Sequence, residues 1–110
     1  MEYTFITSNE QKFKEFQLIN NGRIEVKQLK IDLTEIQGES LDIVRAKCKQ
    51  ACKTGALNLI IEDTCLYFNA LNGLPGPFIK YFLQALPHDK IVKLLDAFPD
   101  KSGHALCTFG

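Results

Sequence analysis

What the chain lacks narrows it before any motif is read. It carries no surplus of charge, because 13 Lys and Arg balance 13 Asp and Glu. A neutral chain offers no broad field to nucleic acid or a membrane surface, so neither is an expected partner. Any anion site must be local, built from a few converging lysines. No apolar run approaches the roughly 20 residues that span a bilayer, and the opening MEYTFIT lacks the basic region of a secretory signal. GxGxxG and GxxxxGK[ST] are both absent, as are repeats and low-complexity stretches. The two histidines, His88 and His104, fall in no spacing that builds a triad or a metal site. The four cysteines lie in apolar patterns, at Cys48, Cys52, Cys65 and Cys107, with no second pair to complete a zinc site. They are expected as reduced core thiols, which suits a cytoplasmic protein.

What is present fits one domain over residues 1–110 with one modest core. Residues 2–7 predict a first strand. Ser8 or Asn9 is placed to cap a helix over Glu10–Asn20, where Phe13, Phe16 and Ile19 recur between charged residues. Ile24–Leu33 predicts a second strand, followed by a polar loop, Thr34–Ser40. Ser40 is the expected cap of a helix to about Lys53, with Leu41, Val44, Cys48 and Ala51 as its stripe and Lys47 on the shoulder. Ala56–Ile61 reads as a strand covered on both faces, and Thr64–Phe68 as its extension. Asn72-Gly73 and Pro75-Gly76-Pro77 are turn chemistry. Pro77 suits the first position of a helix, a shorter helix fits Asp89–Ala97, and His104–Phe109 alternates as a last strand. The order predicts an α/β fold: a twisted mixed β-sheet flanked by helices. Because Gly110 directly follows a strand, that sheet is expected to be truncated on its C-terminal side, with an exposed edge and apolar face.

Three groups of residues carry candidate chemistry. Thr7, Ser8, Asn9 and Lys12 join a strand end to a helix start, which is the composition of an anion site; a capped helix with a solvated lysine has the same composition. Glu35 and Asp63 each sit beside a strand end, where sites in open α/β sheets gather. Oxygen donors of this kind suit magnesium, and manganese equally. Asp63 closes an apolar strand and needs a charged partner; Glu62 falls on the opposite face by strand alternation. Lys47 and Lys80 lie among apolar neighbours on helices, either snorkelling or reaching toward phosphates.

Taken together these stretches resemble the inosine triphosphate pyrophosphatases, and the eukaryotic branch most. The resemblance rests on FITSNEQK, on LTEIQGES with its helix to Lys47, on IIEDTCLYFNALNGLPGPFIKYF, and on DKSGHALCTF. It covers essentially the whole chain. It implies a long twisted mixed sheet, a homodimer, and magnesium-assisted hydrolysis of ITP, dITP or XTP to the monophosphate and pyrophosphate. Thr7, Ser8, Asn9 and Lys12 would then hold the triphosphate. Glu35 and Asp63 would bind the metal, with Asp63 accepting the proton of the attacking water. Thr64, Lys47 and Lys80 would contact the nucleotide.

The chain departs from that pattern in places. Ser8 stands where the family often has glycine, and Glu10 puts an acid close to the expected phosphates. The family's aromatic-Trp-Asp segment and terminal Ser-His-Arg, which read the base, have no counterpart among these residues, and there is no Trp. A second reading therefore stands beside the enzyme: a phosphate-binding module with little or no turnover. An open base site would also relax the choice among ITP, GTP and ATP.

Overall fold

The computed structural model describes all 110 residues. Strand β1 (Glu2–Ile6) lies between β2 (Glu25–Leu29) and β3 (Leu59–Ile60), parallel to both. A second sheet is antiparallel, with β4 (Glu62–Phe68) between β5 (Pro75–Gly76) and β6 (Gly103–Phe109). The expected mixed sheet is thus present as two three-stranded pieces. Ile61 joins them. It sits between β3 and β4, is fully buried, and exchanges backbone hydrogen bonds with Gly110 at 2.8 and 2.9 Å. Helices α1 (Glu10–Asn20) and α2 (Ser40–Cys52) follow β1 and β2, and α3 (Ile79–Ala85) and α4 (His88–Lys93) precede β6.

The core has two centres. Ile6, Ala51 and Ile61 pack with Leu29, Ile31 and Leu33 under the parallel strands. Phe68, Ile91 and Leu95 pack with Leu66, Phe82 and Leu86 beside the antiparallel ones. Phe5 adds edge-to-face contacts with Phe13 and Phe16, at centroid distances of 6.2 and 5.0 Å.

Several elements differ from their sequence-based bounds for identifiable reasons. On α1, Ile19 is 78% exposed. A spacing of three drifts by about 60° per step on a 3.6-residue helix, so Ile19 has rotated about 120° from Phe13. Gln17 turns inward instead, donating to the Val26 carbonyl. The second strand ends at Leu29. The third begins only at Leu59, because Gly55 and Asn58 take positive φ (79° and 54°) and turn the chain, leaving Leu57 exposed. Neither Leu59 nor Ile60 is fully covered. The helix expected after Pro77 begins at Ile79, and α4 gives way to turns after Lys93.

On α2 the buried stripe is Ile43, Val44, Lys47 and Ala51, while Leu41 is exposed. Lys47 therefore occupies the centre of the buried face, not its shoulder. Glu39, not Ser40, holds the N-cap position of α2, with no side-chain capping bond; Ser40 is buried in the first turn, and its hydroxyl lies 2.6 Å from that of Thr108. Cys65 is buried and Cys48 half-buried, but Cys52 and Cys107 are exposed, so two of the four expected core thiols lie on the surface. No helix is long and apolar enough to cross a membrane.

Ile61 is the joint between the sheets, and cutting it back to Ala should cost about 3 kcal/mol. Leu57→Ala should stay within about 0.5 kcal/mol, as expected at an exposed site. Urea denaturation of the two variants reads both values, and equal losses would refute the role given to Ile61.

Candidate functional site

The C-terminal ends of β1 and β3 lie side by side, and the chain following each of β1, β2 and β3 turns into one cleft of ≈ 480 Å³. From β1 come Thr7, Ser8 and Asn9, then Lys12 in the first turn of α1. From the segment after β2 come Asp32 and Glu35. Glu62, Asp63 and Thr64 come from the start of β4, Lys47 from α2 and Lys80 from α3. The nine residues picked from the sequence thus line one cavity. Asp32 and Glu62 line it as well and were not picked.

At one end, the turn before α1 is built by its own side chains. The Asn9 side chain accepts from the Lys12 amide at 3.1 Å and caps the helix. Thr7 Oγ1 accepts from the Asn9 amide at 3.0 Å. The Ser8 hydroxyl donates to Asp32 at 2.5 Å. Glu10, the acid that threatened the phosphate end, turns outward and pairs with Lys30. That exposed pair holds the Glu10 carboxyl below its ordinary range, through the Lys30 hydrogen bond first and its charge second.

At the other end, Lys47 is buried, and its ammonium sits between two carboxylates. It donates to Glu35 at 2.9 Å and to Asp63 at 3.2 Å. Lys80 approaches Glu35 at 3.8 Å from a more exposed position. Burial pushes the Lys47 pKa down, but the hydrogen bonds and charges of Glu35 and Asp63 outweigh it and hold it above the ordinary lysine value. The second Asp63 oxygen lies 3.4 Å from the Cys65 thiol.

Glu62 and Asp63 are neighbours on a strand, so their side chains diverge. Asp63 meets Lys47, whereas Glu62 meets Lys12 at 2.8 Å and accepts from the Thr64 hydroxyl. Burial pushes the Glu62 carboxyl up, but the hydrogen bonds of Lys12 and Thr64 and the Lys12 charge hold it below its ordinary value. The clue available in the sequence was the acid pair closing an apolar strand; nothing there said that the cleft wraps both faces of that strand.

Residues 3–110 match the Ham1 family. The chain belongs to that family. It is 51% identical over 105 residues to an inosine triphosphate pyrophosphatase of Ajellomyces capsulatus, covering 96% of this chain and 57% of the relative. The corresponding protein of Pyricularia oryzae is 46% identical over 106 residues, covering 96% and 56%. The chain therefore spans little more than half the length of these relatives. Among solved structures, the Ham1 protein of Staphylococcus aureus superposes with a TM-score of 0.70 at 22% identity, over 99% of this chain and 62% of that one. A HAM1 protein from Coxiella burnetii does so with the same TM-score at 21% identity, again over 99% and 62%. Those two likenesses show the fold, and the fungal relatives bear out the eukaryotic character of the Ham1-type sequence.

Removing the Lys47 ammonium leaves Asp63 without a cation and Glu35 with only the more distant Lys80. Lys47→Met should therefore cost about 3–5 kcal/mol at neutral pH, against less than about 1 kcal/mol for the half-exposed Lys80→Met. Because the Lys47 pKa is raised, its contribution is complete below the ordinary lysine value of 10.5 and is lost as pH rises through the higher folded value. Chemical denaturation at pH 7 and at strongly alkaline pH measures both effects. A small loss at Lys47, matching that at Lys80, would contradict the buried ion pairs.

Proposed function

We propose that this chain carries the phosphate and metal chemistry of a non-canonical purine nucleoside triphosphate pyrophosphatase, converting ITP, dITP or XTP to the monophosphate and pyrophosphate. The observation that carries the reading is the convergence of Glu35 and Asp63 on one buried ammonium, in the cleft that also holds Lys12 and the start of α1. The family and the names of the fungal relatives support it.

The roles follow from position. The first-turn amides of α1, with Thr7, Ser8, Asn9 and Lys12, form the end suited to phosphates. Lys47 and Lys80 present point charges to the same cleft. Glu35 and Asp63 present two hard oxygen donors to a common cation, a set that fits magnesium and equally manganese. No group of three or more His, Cys, Asp or Glu side chains is spaced to hold a metal by itself; magnesium normally completes its shell with water and substrate phosphates. When bound, magnesium supplies charge neutralisation on those phosphates.

Lys47 exchanges the carboxylates for substrate phosphate, which frees Asp63 Oδ1 to accept a proton from water. The water oxygen forms its bond to the α-phosphorus as the bond to the bridging oxygen breaks, and pyrophosphate leaves. Thr64, beside Asp63, contacts the nucleotide. A homodimer and a cytoplasmic location complete the reading, the second supported by four cysteines in no disulfide.

Pyrophosphate release from ITP, with ATP alongside, tests this with and without magnesium. The expected result is magnesium-dependent release that falls at least about 100-fold in Asp63→Asn, in line with the loss of a positioned base. Release from both nucleotides would place base selection outside these residues. Release no greater than that of the variant would overturn the enzymatic reading in favour of a phosphate-binding module.

A further inference from the structure

The cleft contains three lysines, Lys12, Lys47 and Lys80, against four carboxylates, Asp32, Glu35, Glu62 and Asp63, so its formal charge is −1. A polyphosphate entering it meets no net attraction, and each lysine it needs is already engaged. For Lys47 the partners are the residues assigned to the metal. For Lys12 the partner is Glu62, which no step of the reaction above uses. Its side chain is only 7% exposed, against 37% for Lys12. One Glu62 oxygen takes the Lys12 ammonium at 2.8 Å, and the other takes the Thr64 hydroxyl and lies 3.4 Å from the Cys107 thiol. A carboxylate that gathers an ammonium and a hydroxyl makes the contacts expected of a phosphate oxygen.

We propose that Glu62 is a built-in competitor of the substrate: it holds Lys12 and Thr64 while the cleft is empty, and so makes polyphosphate binding depend on an accompanying divalent cation. The inference rests on reading this cleft as a polyphosphate site. When phosphate takes Lys12, Glu62 is left as a nearly buried carboxylate without its cation, which is costly. A metal-free polyphosphate bears that cost in full. One that arrives with a divalent cation brings compensating charge into the same cleft. Glu62 thereby acts as a positioning residue, and its effect lies in binding.

Calorimetric titration with inorganic tripolyphosphate, in EDTA and in magnesium, tests this without any catalytic readout. In EDTA, Glu62→Gln should bind about tenfold tighter than the wild type, reflecting one charged contact no longer competed for. In magnesium the two should agree within about twofold. The gain should vanish on a Lys12→Met background. Equal or weaker metal-free binding by Glu62→Gln overturns the proposal while leaving the phosphate-site reading intact, and so does a gain that persists without Lys12. No binding by the wild type in either buffer overturns both together. Should Glu62→Gln melt far below the wild type, Glu62→Asp takes its place. That side chain is one methylene shorter and loosens the hold on Lys12, and about a threefold gain in EDTA is expected; no gain overturns the proposal.

Discussion

The buried ammonium of Lys47 is the constraint on which this site depends. Two nearly buried carboxylates cannot share one pocket without a cation between them. Glu35 comes from an irregular segment and Asp63 from a strand, so neither the loop nor the strand end could close here by itself. The helix that supplies Lys47 does so from the middle of its core-facing stripe, between Ile43 and Ala51. The packing of α2 and the assembly of the cleft are therefore one event. A buried ion pair is weak evidence for stability, since an apolar replacement of both partners often does as well. Under the proposed function, its place in the cleft has another reading: a cation that can exchange its carboxylates for a phosphate.

The two-sheet construction explains why the acids end up there. Parallel strands β1 and β3 end side by side, and the segments that follow β1 and β2 turn toward the same opening, where ligands gather in open α/β sheets. Ile61 then carries the chain directly into an antiparallel pair without a loop. Glu62 and Asp63 are thus the first residues of the antiparallel sheet, directly after the joint. An ordinary strand would bury one of two neighbouring acids and expose the other. At this joint the cleft borders both sides, so each acid has its own lysine, Lys12 for Glu62 and Lys47 for Asp63.

Much of the site was legible in the sequence, for physical reasons that also mark the limits. Asp63 was legible because a carboxylate closing an apolar run demands a partner. Lys47 was legible because its neighbours at helical spacing are apolar, although its depth was underestimated: the expected stripe is Leu41, Val44, Cys48 and Ala51, whereas the helix buries Ile43, Val44, Lys47 and Ala51. The convergence of Thr7–Lys12 with Glu35 and Asp63 follows from strand ends, which the element order supplies. Asp32 and Glu62 were not legible as site residues, because their partners, Ser8 and Lys12, are 24 and 50 positions away, and no local pattern encodes such a contact. Ile19 and Leu57 misled for a different reason. An apolar side chain is a one-way signal, and exposed ones are common.

The two departures from the expected family pattern, Ser8 and Glu10, each meet a separate partner. Ser8, in place of a more usual glycine, gives its hydroxyl to Asp32 and so satisfies a carboxylate that would otherwise face the cleft with no donor. Glu10 would weaken anion binding if it pointed inward. Lys30, which lies just beyond β2, draws it to the outer side of α1 instead. An acid in the first turn still complements the helix dipole from there. With Glu10 outside, the carboxylates on the cleft side at this end are Asp32, which takes the Ser8 hydroxyl, and Glu62, which takes Lys12. The anion that pairs with Lys12 is Glu62, held from β4 and not from the helix itself. A competitor placed on a different element can be displaced without disturbing the cap that Asn9 makes, which lets the phosphate end change partners while its backbone stays fixed.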